Sequence, residues 1–134
     1  MIVADTCLIF HLFNETLLTG SAQKILNKDP HWVFPPLWRE EYANVLSKLA
    51  RKENRSMDEV IDHFNYTAEE LKNGEIDVET KKALKISIMH KISVYDAHFV
   101  ALAIDLNSLL ITEDKAILKN CSTFALSLQD FLAM

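Results

Sequence analysis

The segment Ile2–Phe10, with the sequence IVADTCLIF, decides the fold class because an aspartate separates two apolar runs of different kinds. Ile2–Ala4 is short and apolar, which is typical of a buried strand. Asp5 and Thr6 then open a longer apolar segment that continues to Phe13 and predicts a helix. The order strand, aspartate, helix is the beginning of an α/β fold.

Short apolar runs alternate with helical patterns along the rest of the chain. Further strands are expected at Trp32–Phe34, Glu75–Val78, Leu109–Ile111 and Phe124–Leu126. Further helices are expected at Asn14–Lys28, Leu37–Arg51, Ser56–Lys72, Thr80–His90 and Ser93–Leu106, with a brief one ending at Lys119. This alternation indicates a central, mostly parallel sheet with helices on both faces, an α/β/α sandwich.

Polar residues mark several of the expected helix boundaries. Asp29–Pro30 ends the second helix, because a residue before proline disfavours the helical conformation. Ser56–Glu59 has the spacing of a capping box, and Asn73–Gly74 provides a stop for the helix that follows it.

The composition is that of an ordinary globular protein. Hydrophobic residues make up 49% and charged residues 25% of the 134 positions, which fits one domain over residues 1–134. We expect no signal peptide and no membrane span, because neither pattern is visible. Cys7 and Cys121 match no metal-binding or redox spacing, so we expect reduced thiols and a cytoplasmic location.

Four acidic residues stand out by their positions in the predicted elements. Asp5 directly follows the first strand, and Asp114 follows a later one, so both belong at the carboxyl edge of the sheet. Glu41 and Asp96 lie on or beside the apolar faces of their helices. Helix capping is the plainer explanation for Asp5 and Asp114. Asp96 has capping-box spacing from Ser93, and the Glu41 carboxylate has the length to reach water.

Four segments resemble, in order, the motifs of the PIN domain family, and in particular those of the toxin ribonucleases of VapBC toxin–antitoxin systems. They are IVADTCLIF (2–10), PPLWREEYANVL (35–46), SVYDAHFVALA (93–103) and LLITED (109–114). The resemblance spans nearly the whole chain. Cys7 stands where serine is common, and Asn107–Ser108 replaces the usual glycine, but neither departure removes a carboxylate.

The resemblance implies a PIN-like sandwich that hydrolyses RNA phosphodiester bonds with one or two Mg²⁺ or Mn²⁺ ions. The residues that match the catalytic and metal-ligating carboxylates are Asp5, Glu41, Asp96 and Asp114. The polar residues beside them, expected to orient the ligands, are Thr6, Asn44 and Thr112. In such a site the metal lowers the pKa of an attacking water and stabilises charge on the reacting oxygens. Helix capping explains Thr6 and Thr112 about as well.

Other chemistries fit the residues less well. Oxygen ligands without histidine or cysteine favour Mg²⁺ or Mn²⁺ over zinc, and the chain has no glycine-rich phosphate loop or serine-hydrolase motif. Cys7 stands where a phosphatase of the haloacid dehalogenase type requires a second acid. Two alternatives stay open: a PIN-like nuclease outside any toxin–antitoxin system, and a catalytically inert PIN-like module that binds other proteins.

The net charge of −5 argues against RNA binding by bulk electrostatics, although two divalent cations would supply about +4 at the site. The candidate RNA-binding residues are Arg39 and a helical stripe of Lys48, Arg51, Lys52 and Arg55. A solvated helix face is the plainer interpretation of the stripe. The resemblance further implies a homodimer and an antitoxin protein as a partner.

Overall fold

A four-stranded sheet forms the centre of the structure, a computed structural model of residues 1–134. The strands are β1 (Ile2–Ala4), β2 (Trp32–Val33), β3 (Leu110–Ile111) and β4 (Ala125–Leu126). They lie in the order β2-β1-β3-β4, and every neighbouring pair is parallel. The predicted α/β class and parallel sheet are therefore confirmed.

Eight α-helices make up most of the remaining chain. They are α1 (Thr6–Phe13), α2 (Thr19–Lys28), α3 (Trp38–Glu53), α4 (Met57–Leu71), α5 (Thr80–His90), α6 (Val94–Asp105), α7 (Lys115–Asn120) and α8 (Leu128–Leu132). Helix α6 packs against α5, β1 and β3, whereas α1 packs against α2 and α3. No helix is both long enough and apolar enough to cross a membrane.

Strand β1 and helix α6 lie at the centre of the core. All of β1 is buried, because a central parallel strand has neighbours on both edges and helices on its faces. Helix α6 is buried over most of its circumference, including Phe99, Val100 and Leu102, which explains why its sequence is almost wholly apolar. This packing holds the first turn of α6, and Asp96 with it, next to the end of β1.

Helix α2 begins five residues later than the sequence pattern predicts. Asn14 ends α1, and its backbone N–H donates to the carbonyl of Phe10. The Thr19 hydroxyl then donates to the Asn14 carbonyl at 2.8 Å and accepts from the Thr16 N–H at 2.8 Å. These hydrogen bonds to the Thr19 side chain compete with the backbone hydrogen bonds of an α-helix, so residues 14–18 form a turn instead.

The predicted strand at Glu75–Val78 was wrong, because only one parallel bridge, between Phe34 and Glu75, forms there. Phe34 donates to the carbonyl of Gly74 and accepts from the N–H of Ile76. The next residues along β2 are Pro35 and Pro36, which have no N–H to donate, so the pairing ends after one step.

Gly74 is required by close approach, not by an unusual backbone angle. Helix α4 does end before Asn73–Gly74, in a short 3-10 turn at Lys72–Gly74. No glycine has a positive φ, but a Cβ at Gly74 would lie 2.7 Å from the carbonyl oxygen of Trp32. Only glycine lets this turn pack directly on β2.

Two details of α3 and α4 also differ from prediction. Helix α3 ends at Glu53 because Asn54 takes a left-handed conformation with φ 51°, a backbone region that asparagine tolerates. Arg55 therefore lies beyond the helix and cannot continue its basic stripe. Ser56 precedes α4, but its side chain makes no capping bond, so the predicted capping box does not form.

The other predicted elements are confirmed to within a residue or two of their ends. Strands β2, β3 and β4 are each one residue shorter than predicted. Helix α8 was not predicted. Cys7 and Cys121 are both free thiols, as expected.

Candidate active site

Asp5 lies at the carboxyl end of the central strand and begins α1. Its carboxylate accepts hydrogen bonds from the Thr6 backbone N–H at 2.8 Å and from the Thr112 hydroxyl. Only 8% of the residue is exposed, and this burial, with the charges of Glu41 and Asp96, raises its pKa to about 7. A nearby cation would favour the ionised form of such a carboxyl.

Two buried threonines connect the acids to one another. Thr112 follows β3, donates to Asp5 and accepts from the backbone N–H of Asp114 at 3.0 Å. The Thr6 hydroxyl donates to Oε1 of Glu41 at 2.7 Å. These contacts join the ends of β1 and β3 to α3, and their burial excludes competing water.

Glu41 extends from the first turns of α3 towards Asp5. The helix is fixed there by Trp38 and Tyr42, which are fully buried, with ring centroids 5.6 Å apart. Burial raises the pKa of Glu41, the charges of Asp96 and Asp114 raise it further, and the bond from Thr6 opposes both. Its second carboxylate oxygen makes no hydrogen bond, so it is available to a ligand.

Asp96 and Asp114 complete the set from the starts of α6 and α7. The backbone N–H of Asp96 donates to the Ser93 hydroxyl at 3.0 Å, and Oδ1 of Asp114 accepts from the Ile117 N–H at 2.9 Å. Burial, and then the charge of Asp114, raises the pKa of Asp96. Capping therefore occurs, but it involves only one oxygen of Asp114, and at Asp96 it leaves the pKa raised although the Ser93 hydroxyl opposes the rise.

These side chains surround a cleft of about 460 Å³ at the carboxyl edge of the sheet. Its lining residues are Asp5, Thr6, Cys7, Phe10, His11, Glu41, Val45, Asp96, Glu113 and Asp114. The lining includes all four predicted acids and neither lysine nor arginine. No three of the histidine, cysteine, aspartate and glutamate side chains are arranged closely enough to hold a metal ion as they stand. The cleft thus brings the carboxylates near one another but does not arrange them as a complete metal-coordination site.

The family model of the PIN domain matches residues 2–121, which contain every residue of this cleft. The chain belongs to the PIN domain family. PIN domains are in general nucleases that use divalent metal ions. The crystal structure of PAE2754 from Pyrobaculum aerophilum has a similar fold, with a TM-score of 0.73 and 17% identity over 98% of this chain and 93% of that chain. No curated protein matches the chain.

In this PIN domain, Glu113 and His11 line the cleft although the sequence did not single them out. Cys7 lines the cleft as well, accepts from the Glu113 N–H at 3.4 Å, and has its pKa raised to about 12 by burial and the charge of Asp5. It is therefore a neutral thiol. The available signal was helical spacing, because Cys7, Phe10 and His11 lie at i, i+3 and i+4 on α1.

Two of the five predicted RNA-binding residues already have acidic partners within the PIN domain. Arg39 donates from Nε to both carboxylate oxygens of Glu75, at 3.0 and 3.2 Å. Arg55 forms an ion pair with Glu53 at 2.6 Å. Neither arginine lines the acidic cleft.

The other three predicted RNA-binding residues lie on exposed parts of α3, beyond the cleft. They are Lys48, Arg51 and Lys52. The residues Glu41, Val45, Lys48 and Lys52 follow one another at spacings of four, three and four, which places all four on one face of the helix. Arg51 and Asn44 lie beside this face. Asn44 is exposed and makes no hydrogen bond to any of the four acids.

Proposed function

We propose that this PIN domain, a single domain over residues 1–134, is an endoribonuclease that uses Mg²⁺ or Mn²⁺ to hydrolyse RNA phosphodiester bonds. The observation that carries the proposal is the convergence of Asp5, Glu41, Asp96 and Asp114 on one cleft in a member of a nuclease family. All four come from different elements, so their convergence depends on the fold and not on local capping alone.

The donor set fits a hard divalent cation. The cleft offers carboxylate oxygens that make no internal hydrogen bond, on Glu41, Asp96 and Asp114. Burial and mutual repulsion raise the pKa of Asp5, Glu41 and Asp96 together, which is the condition that a shared cation relieves. Because Glu41 and Asp96 are only half-buried, their side chains have room to turn towards a common ion.

When bound, such an ion lowers the pKa of the attacking water and stabilises charge on the phosphate oxygens. The other side chains of the site orient the carboxylates. Thr112 holds one oxygen of Asp5, and Thr6 holds one oxygen of Glu41, so each carboxylate presents a defined edge to the cleft. We propose the same orienting role for Asn44, which lies one helical turn after Glu41 on α3, when a ligand is bound.

The RNA path we propose runs from the cleft along α3. Lys48 and Lys52 continue the face that carries Glu41, beginning roughly 10 Å along the helix axis from that acid. Lysines at this distance contact phosphates without filling the cleft. We propose further phosphate contacts for Arg51, beside this face, and for Arg39 and Arg55, which lie off it and exchange their acidic partners for phosphate.

We further propose that the protein is the cytoplasmic toxin of a type II toxin–antitoxin pair, working as a homodimer with an antitoxin protein as its partner. The similarity of its four motifs to those of VapBC toxins supports this assignment. Growth arrest upon expression, relieved by coexpression of a small adjacent gene, would support it. Unimpaired growth with active enzyme would favour a PIN nuclease outside such a system.

RNA cleavage tests the enzymatic proposal directly. A mixture of RNAs is incubated with the wild-type protein in Mg²⁺, in Mn²⁺ and in EDTA, and with the variants Asp96→Asn and Asp62→Asn. Asp62 is exposed on α4 and makes no hydrogen bond, so it controls for the chemical change alone. We expect cleavage only with metal, its loss in Asp96→Asn and its retention in Asp62→Asn. Equal cleavage in all samples would refute the metal-dependent mechanism, whereas no cleavage by folded protein would favour an inert binding module.

A further inference from the structure

We infer that His11 is an RNA-contacting residue of this site, with its Nε2–H donating a hydrogen bond to a backbone oxygen of the bound strand. The inference rests on the proposed nuclease function and adds a substrate contact that its carboxylates cannot provide. Three features support it: the side chain of His11 has a spare hydrogen-bond donor, its contacts favour one tautomer of the ring, and neighbouring residues hold the ring in place.

His11 is the one residue lining the cleft whose side chain has a hydrogen-bond donor to spare. The other side-chain donors of the lining are the Thr6 hydroxyl, which donates to Glu41, and the Cys7 thiol, which faces Asp5 at 3.8 Å. Five lining residues are carboxylates that only accept. An RNA backbone presents acceptors, so a cleft without a free donor would hold it poorly.

The hydrogen bonds around His11 favour one of the two ring nitrogens as the carrier of the proton. Its Nδ1 lies 2.8 Å from the Thr16 hydroxyl, which also accepts from the Leu18 N–H. Because the Thr19 hydroxyl donates its proton to the Asn14 carbonyl, the Thr16 proton has two acceptors, the Thr19 oxygen at 3.4 Å and Nδ1 at 2.8 Å, and the shorter contact favours Nδ1. The ring then accepts at Nδ1 and carries its hydrogen at Nε2, which has no partner within the protein.

The same contacts hold the ring still. Thr16 is fixed by two backbone bonds within the turn that precedes α2, and the neighbouring Phe10 ring meets the imidazole edge-on, with centroids 6.0 Å apart. A donor oriented in advance loses little entropy when substrate binds. The turn that delays the start of α2 therefore serves the cleft by orienting His11.

Steady-state cleavage of short single-stranded RNAs in Mn²⁺ tests this role with three full-length variants. His11→Phe keeps a ring and removes the donor, His11→Gln keeps an N–H near the position of Nε2, and His31→Phe changes an exposed histidine outside the cleft. We expect His11→Phe to raise KM about tenfold, the factor for one lost bond to a charged acceptor, with kcat within about twofold.

The three variants separate a donor from a merely structural residue. We expect His11→Gln to recover most of the lost affinity, and the KM ratio of His11→Phe to wild type to be the same for oligomers of A, C and U. A normal KM in His11→Phe, no recovery in His11→Gln, or a ratio that changes with the base would overturn the contact. Failure of the wild-type protein to cleave any RNA would instead refute the proposed function itself.

Discussion

The raised pKa of Asp5 predicts that ionising this residue lowers the stability of the metal-free protein. The pKa is about 7 in the folded protein against an ordinary 3.8, mainly because the carboxyl is buried. The folded state therefore binds more protons than the unfolded state between these values, and stability falls as the pH rises from about 4 to about 7. At about 1.4 kcal/mol for each pKa unit, the whole interval corresponds to about 4 kcal/mol.

Replacing Asp5 with asparagine removes this cost because the amide is neutral at every pH. The amide oxygen can still accept from the Thr6 N–H, but the bond with Thr112 must rearrange, which offsets roughly 1 kcal/mol. We expect Asp5→Asn to raise the free energy of unfolding by about 2–4 kcal/mol above pH 7 while abolishing cleavage. The difference in the free energy of unfolding between Asp5→Asn and the wild type should disappear towards pH 4, where folded Asp5 is protonated and, like the asparagine, neutral.

Chemical denaturation in EDTA, repeated across this pH range, measures the effect. Asp62→Asn is the matched control and should change the free energy of unfolding by less than about 0.5 kcal/mol at any pH. Adding Mn²⁺ should stabilise the wild type and leave Asp5→Asn nearly unchanged, because the ion binds only the folded carboxylate site. Destabilisation by Asp5→Asn at neutral pH, or a gain independent of pH, would refute the reasoning about burial.

Three further predictions concern orientation, RNA binding and packing. Thr6→Val removes the bond to Glu41 and should lower the cleavage rate about 10- to 100-fold, with the melting temperature as the check on folding. The double variant Lys48→Ala, Lys52→Ala should weaken RNA binding and reduce the slope of log affinity against log salt by about 0.7 for each lysine, measured by fluorescence anisotropy. Gly74→Ala should lower the free energy of unfolding by about 1–3 kcal/mol, since the added Cβ meets backbone 2.7 Å away. Each prediction has a matched control. Thr80→Val should not lower the cleavage rate, the double variant Lys81→Ala, Lys85→Ala should not lower RNA affinity or its salt slope, and Gly20→Ala should not lower the free energy of unfolding.

The sheet and most helices were predictable because their signals are local. The apolar run Ile2–Ala4 and the nearly uniform apolar pattern of α6 are properties of adjacent residues, and burial follows from them. The predicted strand at Glu75–Val78 was wrong because its pairing depends on Pro35–Pro36, about forty residues earlier. Such a dependence is invisible to a local pattern.

The candidate site divides in the same way. The strand-end positions of Asp5 and Asp114 placed them at one sheet edge in advance, as topology requires. The bond between Thr112 and Asp5 spans 107 positions, and no local pattern predicts its geometry. His11 was overlooked because it matches no metal-ligand spacing, and its role emerges only when the folded chain places it beside the carboxylates.

The isotopic composition of the cleavage products tests the central claim most directly. RNA is cleaved in isotopically labelled water with Mn²⁺, and the new ends are weighed by mass spectrometry. Hydrolysis at the carboxylate site predicts one labelled oxygen in each new terminal phosphate, and no cleavage in EDTA or by Asp96→Asn. Unlabelled cyclic phosphate ends, or the same products in EDTA, would contradict a metal-dependent attack by water.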